Sequence, residues 1–149
     1  MTQVSSPLTG RAIGLAAVPD PVFSGAMVGP GTAVDPERGP SEAVAPIGGL
    51  VLSLHPQVFV VVDDEGRGVL THLGIDTVQL NGEGFELLVA KGDRVERGQP
   101  VIRWDTAAVE EAGKSPISPV VALEAAEGAL SAVAEDGKIK AGEALFTWE

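Results

Sequence analysis

The chain has 149 residues, about one domain's worth, and its 44% hydrophobic and 21% charged residues are the balance of a globular protein rather than a disordered one. Twenty-one Asp and Glu against ten Lys and Arg give a formal net charge of −11 at pH 7. Such a surface repels phosphate backbones, so no nucleic acid is expected as a partner, and it complements a basic protein surface. With no cysteine, disulfides, thiolate metal sites and cysteine nucleophiles are excluded.

Met1–Pro7 holds no basic segment followed by an apolar run, and no stretch approaches the roughly 20 apolar residues of a membrane-spanning helix. The expectation is one soluble, cytoplasmic domain over residues 1–149, with no direct membrane insertion. Nineteen Gly and eleven Pro punctuate the chain. Between them lie runs of strand length rich in Val, Ile, Leu and Phe. In chain order these predict strands at Ala12–Val18, Gly49–Leu54, Val58–Val62, Gly68–Leu73, Thr77–Leu80, Pro100–Trp104, Ser118–Leu123 and Ala144–Trp148.

Asp64-Glu65-Gly66 predicts a hairpin turn, because Gly supplies a positive φ without steric cost. Asp105–Ala112 predicts a short helix capped by Asp105 or Thr106, and Gly84–Val89 a further helical turn. The class is all-β, an antiparallel sandwich or barrel with one or two short helices. Val95–Trp104 aligns without gaps on Ile139–Trp148, and Pro7-Leu8-Thr9-Gly10 more weakly on Pro46-Ile47-Gly48-Gly49. Two copies are too few for a solenoid, so the similarity predicts two halves intertwined about a two-fold.

Neither a Gly-x-Gly-x-x-Gly nor a Walker loop is present, which leaves nucleotide hydrolysis unsupported. Asp63-Asp64-Glu65 reads as a solvated turn; no metal and no cofactor is expected. The two histidines are His55, in Leu54-His55-Pro56-Gln57, and His72, in Thr71-His72-Leu73-Gly74-Ile75-Asp76. His72 ends a predicted strand, where its ring can be anchored while one nitrogen stays exposed. By spacing alone, a structural role accounts for it as well as a reactive one.

The stretch His72-Leu73-Gly74-Ile75-Asp76-Thr77-Val78-Gln79-Leu80-Asn81-Gly82-Glu83-Gly84-Phe85 resembles the phosphorylation-site signature of the glucose-type enzyme IIA of the bacterial phosphoenolpyruvate:sugar phosphotransferase system. Pro19–Phe23 and Val28–Gly31 resemble that family's segment beside its active site, Val44-Ala45-Pro46 its next strand, and Lys114–Val121 a late block, so the likeness spans nearly the whole chain. It implies an antiparallel β-sandwich and a phosphotransferase component with His72 as the phosphorylated residue. The phosphoryl would come from the phosphohistidine of HPr and pass to a cysteine of enzyme IIB, part of a IIB/IIC sugar permease. Imidazole suits the task because one neutral nitrogen attacks phosphorus and the resulting N–P bond stays labile. The other ring nitrogen would donate to the carbonyl of Gly74.

The family's second active-site histidine lies fifteen positions before the phosphorylated one, and here that position is Gln57. A glutamine amide donates a hydrogen bond but neither titrates nor carries charge. The expectation is a His72 that loads but discharges slowly. His55, two residues earlier, substitutes only if the chain is extended there. The resemblance also implies an exposed apolar docking patch of Val22, Phe23, Met27, Val28 and Val78, with Asp20 and Asp76 receiving an arginine from the partner. Ordinary core packing is the alternative for each apolar member, and Met1–Ser6 is too short for an amphipathic membrane tail.

Two other architectures share features with the chain. Gly92–Gln99 resembles the turn pattern of biotinyl and lipoyl carrier domains, but the motif of their modified lysine is absent; lysostaphin-like zinc peptidases need more ligands than two histidines offer. The alternative function is a regulatory binding protein that docks target enzymes or permeases according to the phosphorylation of His72.

Overall fold

The computed structural model describes all 149 residues. Its strands are β1 (Thr2–Ser5), β2 (Gly10–Ala12), β3 (Gly31–Pro36), β4 (Pro40–Val44), β5 (Gly49–His55), β6 (Val58–Val62), β7 (Gly68–His72), β8 (Phe85–Leu87), β9 (Arg94–Val95), β10 (Pro100–Asp105), β11 (Ser118–Ala122), β12 (Leu130–Ser131), β13 (Lys138–Ile139) and β14 (Ala144–Trp148). Two short helices, α1 (Pro21–Ser24) and α2 (Thr106–Glu111), and two 3-10 turns, Leu15–Ala17 and Thr77–Leu80, complete it. All strand pairs are antiparallel, as the alternating short runs and turns predict.

Eight strands form one sheet in the order β13-β2-β3-β11-β7-β6-β5-β9; β1-β14-β12 and β4-β10-β8 form two smaller sheets. The order of the large sheet is palindromic under exchange of β13 with β9, β2 with β5, β3 with β6 and β11 with β7. The same exchange carries β1-β14-β12 onto β4-β10-β8. The sequence similarity falls on this two-fold: Val95 pairs with Gly49, and Ile139 pairs with Gly10.

Alternation decides which face each side chain takes. Phe59, Val61, Val69 and Val120 point inward and are fully buried, meeting Val4, Leu145 and Phe146 from one small sheet and Val101, Ile102 and Trp104 from the other in a single cluster. On the opposite face of the large sheet a smaller cluster forms from Leu15, Val18, Phe23, Ala33, Ile75 and Val121. The segment between β2 and β3 supplies its cover. Hence all five residues of β11 are buried, the strand being covered on both faces.

Three expectations are corrected. The predicted strand Ala12–Val18 ends at Ala12, because Gly14 takes φ +82° and the chain turns into the 3-10 segment that lays Leu15 and Val18 over the sheet. Thr77–Leu80 is a 3-10 turn bounded by left-handed Asp76 and Asn81, and its Thr77 hydroxyl is spent on the Leu73 carbonyl. Gly84–Val89 contains a strand rather than a helical turn, since Phe85 pairs with Trp104 and stacks on its indole. The predicted Asp64-Glu65-Gly66 turn and the Asp105-capped helix are present. No helix is long and apolar enough to cross a membrane.

Candidate functional site

His72 is the last residue of β7, directly opposite Val58. Its ring stands on the face shared with Leu70, while Thr71 and Leu73 point into the main core and are fully buried. Its Nδ1 lies 2.5 Å from the carbonyl oxygen of Gly74. A carbonyl only accepts, so Nδ1 carries the proton and Nε2 keeps its lone pair.

The loop that supplies this carbonyl is held from four sides. Leu73 N–H donates to the Gln57 carbonyl (2.7 Å), and Ile75 N–H to Ser115 (2.8 Å). Thr77 Oγ1 donates to the Leu73 carbonyl (2.7 Å), and Gly74 N–H donates to Ser118 Oγ (3.3 Å), which itself donates to Pro116 (2.9 Å). Gly74 adopts φ +81°, and a Cβ there would sit 2.6 Å from Thr77 Cγ2 and 2.8 Å from the Ser115 carbonyl. Only glycine fits. Ser118 and Thr77 were not legible as site residues, because isolated hydroxyls in apolar runs carry no spacing signal.

Phe23 of α1 packs on the histidine, with ring centroids 5.3 Å apart and planes tilted by 57°. Burial pushes the His72 imidazole below its ordinary value of 6.5; the Gly74 carbonyl and the carboxylates of Asp20 and Asp76 oppose that shift without cancelling it. The ring is therefore neutral at pH 7, with a nucleophilic nitrogen available. Asp20 also caps α1, accepting from Val22 N–H at 2.9 Å, which explains why a four-residue helix opens here on Asp20-Pro21.

The docking residues divide into two sets. Val22, Met27 and Val78 are exposed, by 42, 74 and 60%. Phe23 is only 9% exposed and belongs to the outer-face cluster, with the half-buried Val28 packed against it. Those two lie beneath the surface rather than on it, because Phe23 is the ring that covers His72. Asp76 is exposed in the left-handed region, at φ +59°. Gln57 occupies a two-residue turn with Pro56, and neither has a positive φ, which excludes the type I′, II and II′ turns. The backbone of Gln57 joins the site through Leu73.

A cavity of about 520 Å³ lies beside Met27 and Leu123, and His72 lines neither it nor four others of about 240 to 310 Å³. His72 is part-exposed and lies on a face of the protein outside these cavities. Such a face suits reaction with a group carried on another protein better than capture of a free small molecule.

Known proteins identify the class as a phosphotransferase component of sugar transport. The chain belongs to the family described as phosphoenolpyruvate-dependent sugar phosphotransferase system, EIIA 1, whose profile matches residues 2–128. It is 37% identical over 142 residues to the glucose-specific EIIA component of this system from Staphylococcus aureus, which covers 94% of this chain and 84% of the relative. With the glucoside-specific EIICBA component of Staphylococcus carnosus it shares 38% over 145 residues, 96% of this chain and 20% of that longer protein. Among solved structures, glucose permease IIA from Mycoplasma capricolum superposes with a TM-score of 0.89 at 30% identity, covering 97% of this chain and 94% of the other. The antiparallel architecture is that of the family.

Proposed function

We propose that residues 1–149 form one glucose-type EIIA domain that carries a phosphoryl group on Nε2 of His72, between the phosphohistidine of HPr and a cysteine of an enzyme IIB. The observation that carries this reading is the neutral, anchored imidazole of a part-exposed residue, with Nδ1–H fixed on Gly74 and Nε2 unprotonated. In the loading step the Nε2 lone pair forms a bond to phosphorus as the donor's N–P bond breaks, its electron pair returning to the donor imidazole. In discharge a partner thiolate attacks phosphorus, and the N–P pair returns to Nε2. Developing positive charge on the His72 ring is stabilised by the Gly74 carbonyl and the two neighbouring carboxylates.

Val22, Met27 and Val78 form the apolar contact, rimmed by Asp20 and Asp76, which receive basic groups of the partner. At Gln57 the domain offers a neutral amide. The test is incubation of the purified chain with phosphoenolpyruvate, enzyme I and HPr, followed by mapping of the modification. One acid-labile phosphoryl on His72, absent from His72→Gln, is expected. A wild-type chain that stays unmodified overturns the reading.

A further inference from the structure

The chain turns at Pro56-Gln57 rather than running extended, so His55 and position 57 do not share a strand; His55 reaches the His72 face through strand pairing instead. His55 is the last residue of β5 and pairs with Val58, and Val58 pairs in turn with His72. Directly opposed residues of adjacent strands send their side chains to the same face. His55, Val58 and His72 therefore stand in one row across three strands. His55 and Val58 close a two-residue hairpin, while Val58 and His72 are flanked by the Leu73 N–H to Gln57 bond. Spacings of about 5.5 and 4.5 Å for those two kinds of pair put the histidine Cα atoms about 10 Å apart. The two histidines thus stand on either side of Val58 in that row.

The charges acting on His72 are both carboxylates, Asp20 and Asp76. A phosphoryl group adds roughly −1.5 to −2 at pH 7 to that same place. Arg11, Arg38, Arg67, Arg94 and Arg103 are engaged with acids elsewhere, and no Lys or Arg acts on His72. The loaded domain must hold its phosphoryl while no partner is bound, so any balancing donor has to come from this chain. Gln57 is neutral. His55 is exposed and is the side chain in the row, besides His72 itself, that carries a ring N–H donor.

Resting on the carrier reading of His72, we propose that His55 is the second catalytic imidazole, donating a ring N–H to a non-bridging phosphoryl oxygen in the loaded state and in transfer. His55 forms no bond to phosphorus. The N–P bond is made and broken at His72 alone, and the proton stays on His55. The imidazole absent at position 57 is thus supplied from the neighbouring strand, and discharge does not depend on Gln57.

The experiment compares the full-length wild type with His55→Asn and His55→Ala, each loaded through HPr and discharged to a glucose-type IIB in single turnover. Ring 15N resonances of His55 are recorded before and after loading. Expected are a shift of the His55 resonances on loading and discharge slowed by about 100-fold in both variants, the loss typical of one donor to a developing oxyanion, with the unfolding midpoint unchanged. Loaded His72 with unmoved His55 resonances and variants discharging within about twofold of wild type would overturn the assignment and leave the carrier reading intact. Failure of the wild type to load at all overturns the carrier reading and this one with it.

Discussion

Replacing Gly74 by alanine tests the step from backbone geometry to chemistry. The residue sits at φ +81°, where a side chain costs about 1–2 kcal/mol for the left-handed region. Its Cβ would lie 2.6 Å from Thr77 Cγ2 and 2.8 Å from the Ser115 carbonyl. Neither neighbour gives way cheaply: Thr77 is fully buried with its hydroxyl bonded to Leu73, and Ser115 accepts from Ile75. Overpacking of this kind adds about 1–3 kcal/mol. The sum, about 2–5 kcal/mol, is expected in urea denaturation. The carbonyl that holds Nδ1 moves with the strained peptide, and loss of one hydrogen bond of about 1 kcal/mol slows loading of His72 roughly fivefold to tenfold. Thr77→Ser in the Gly74→Ala background removes Cγ2 while keeping the hydroxyl, and so recovers part of the stability. A Gly74→Ala chain within about 0.5 kcal/mol of wild type that loads at the normal rate would refute the reasoning.

Two further outcomes follow from the same geometry. The His72 imidazole has its value lowered by burial, so the folded chain binds fewer protons than the unfolded one between that lowered value and 6.5. Stability therefore rises with pH across that window and is flat with respect to His72 above it. Loading is pH-independent above 6.5 and falls on acidification as Nε2 protonates; Asp20→Asn moves the fall to lower pH, and a loading rate that climbs as pH drops contradicts the neutral-nucleophile account. Met27→Asp and Val78→Asp place a charge on exposed side chains, so stability changes by less than about 0.5 kcal/mol. The KM for phospho-HPr is expected to rise tenfold or more in a steady-state assay, and an unchanged KM removes these residues from the docking face.

Much of the β framework was legible because its signals are local. Val58–Val62 and Gly68–His72 are strand-length runs joined at Asp64-Glu65-Gly66, and the matching Val95–Trp104 and Ile139–Trp148 segments occupy equivalent places in the two halves. The errors arose where a tertiary contact outweighed local pattern. Phe85-Glu86-Leu87 becomes an edge strand because β10 offers a register partner and Trp104 a ring to stack on. Ala12–Val18 is apolar enough for a strand, yet it turns at Gly14 because the outer face of the large sheet needs a cover. At the candidate site, the signature around His72 was readable as sequence, whereas Phe23 read as a surface residue and is a buried one. Its distance from His72 in the chain hides the contact. The position of His55 was open for a similar reason: Pro56-Gln57 is a turn, so His55 and Gln57 belong to different strands, and only the register shows which residue His55 faces.

The two-fold also explains why the domain has one such site rather than two. The axis passes between Thr71 and Val120, which face each other where β7 meets β11. It carries His72 to Val121, Val58 to Gly31 and Gln57 to Pro30. The backbone bonds obey it: Leu73 N–H reaches the Gln57 carbonyl at 2.7 Å and Ala122 N–H reaches Pro30 at 2.9 Å. The halves differ in what joins the equivalent strands. Between β5 and β6 there are two residues, Pro56 and Gln57, so the row His55–Val58–His72 stays open to solvent on the hairpin side. Between β2 and β3 runs the long segment 13–30, which folds over the outer face, buries Val121 completely and continues to Phe23 against the His72 ring. One insertion thus closes the symmetric position and lowers the pKa of His72 by desolvating it. Shortening that segment is predicted to expose Val121 and raise the His72 value toward 6.5, coupling the loss of the second cluster to the loss of a neutral nucleophile.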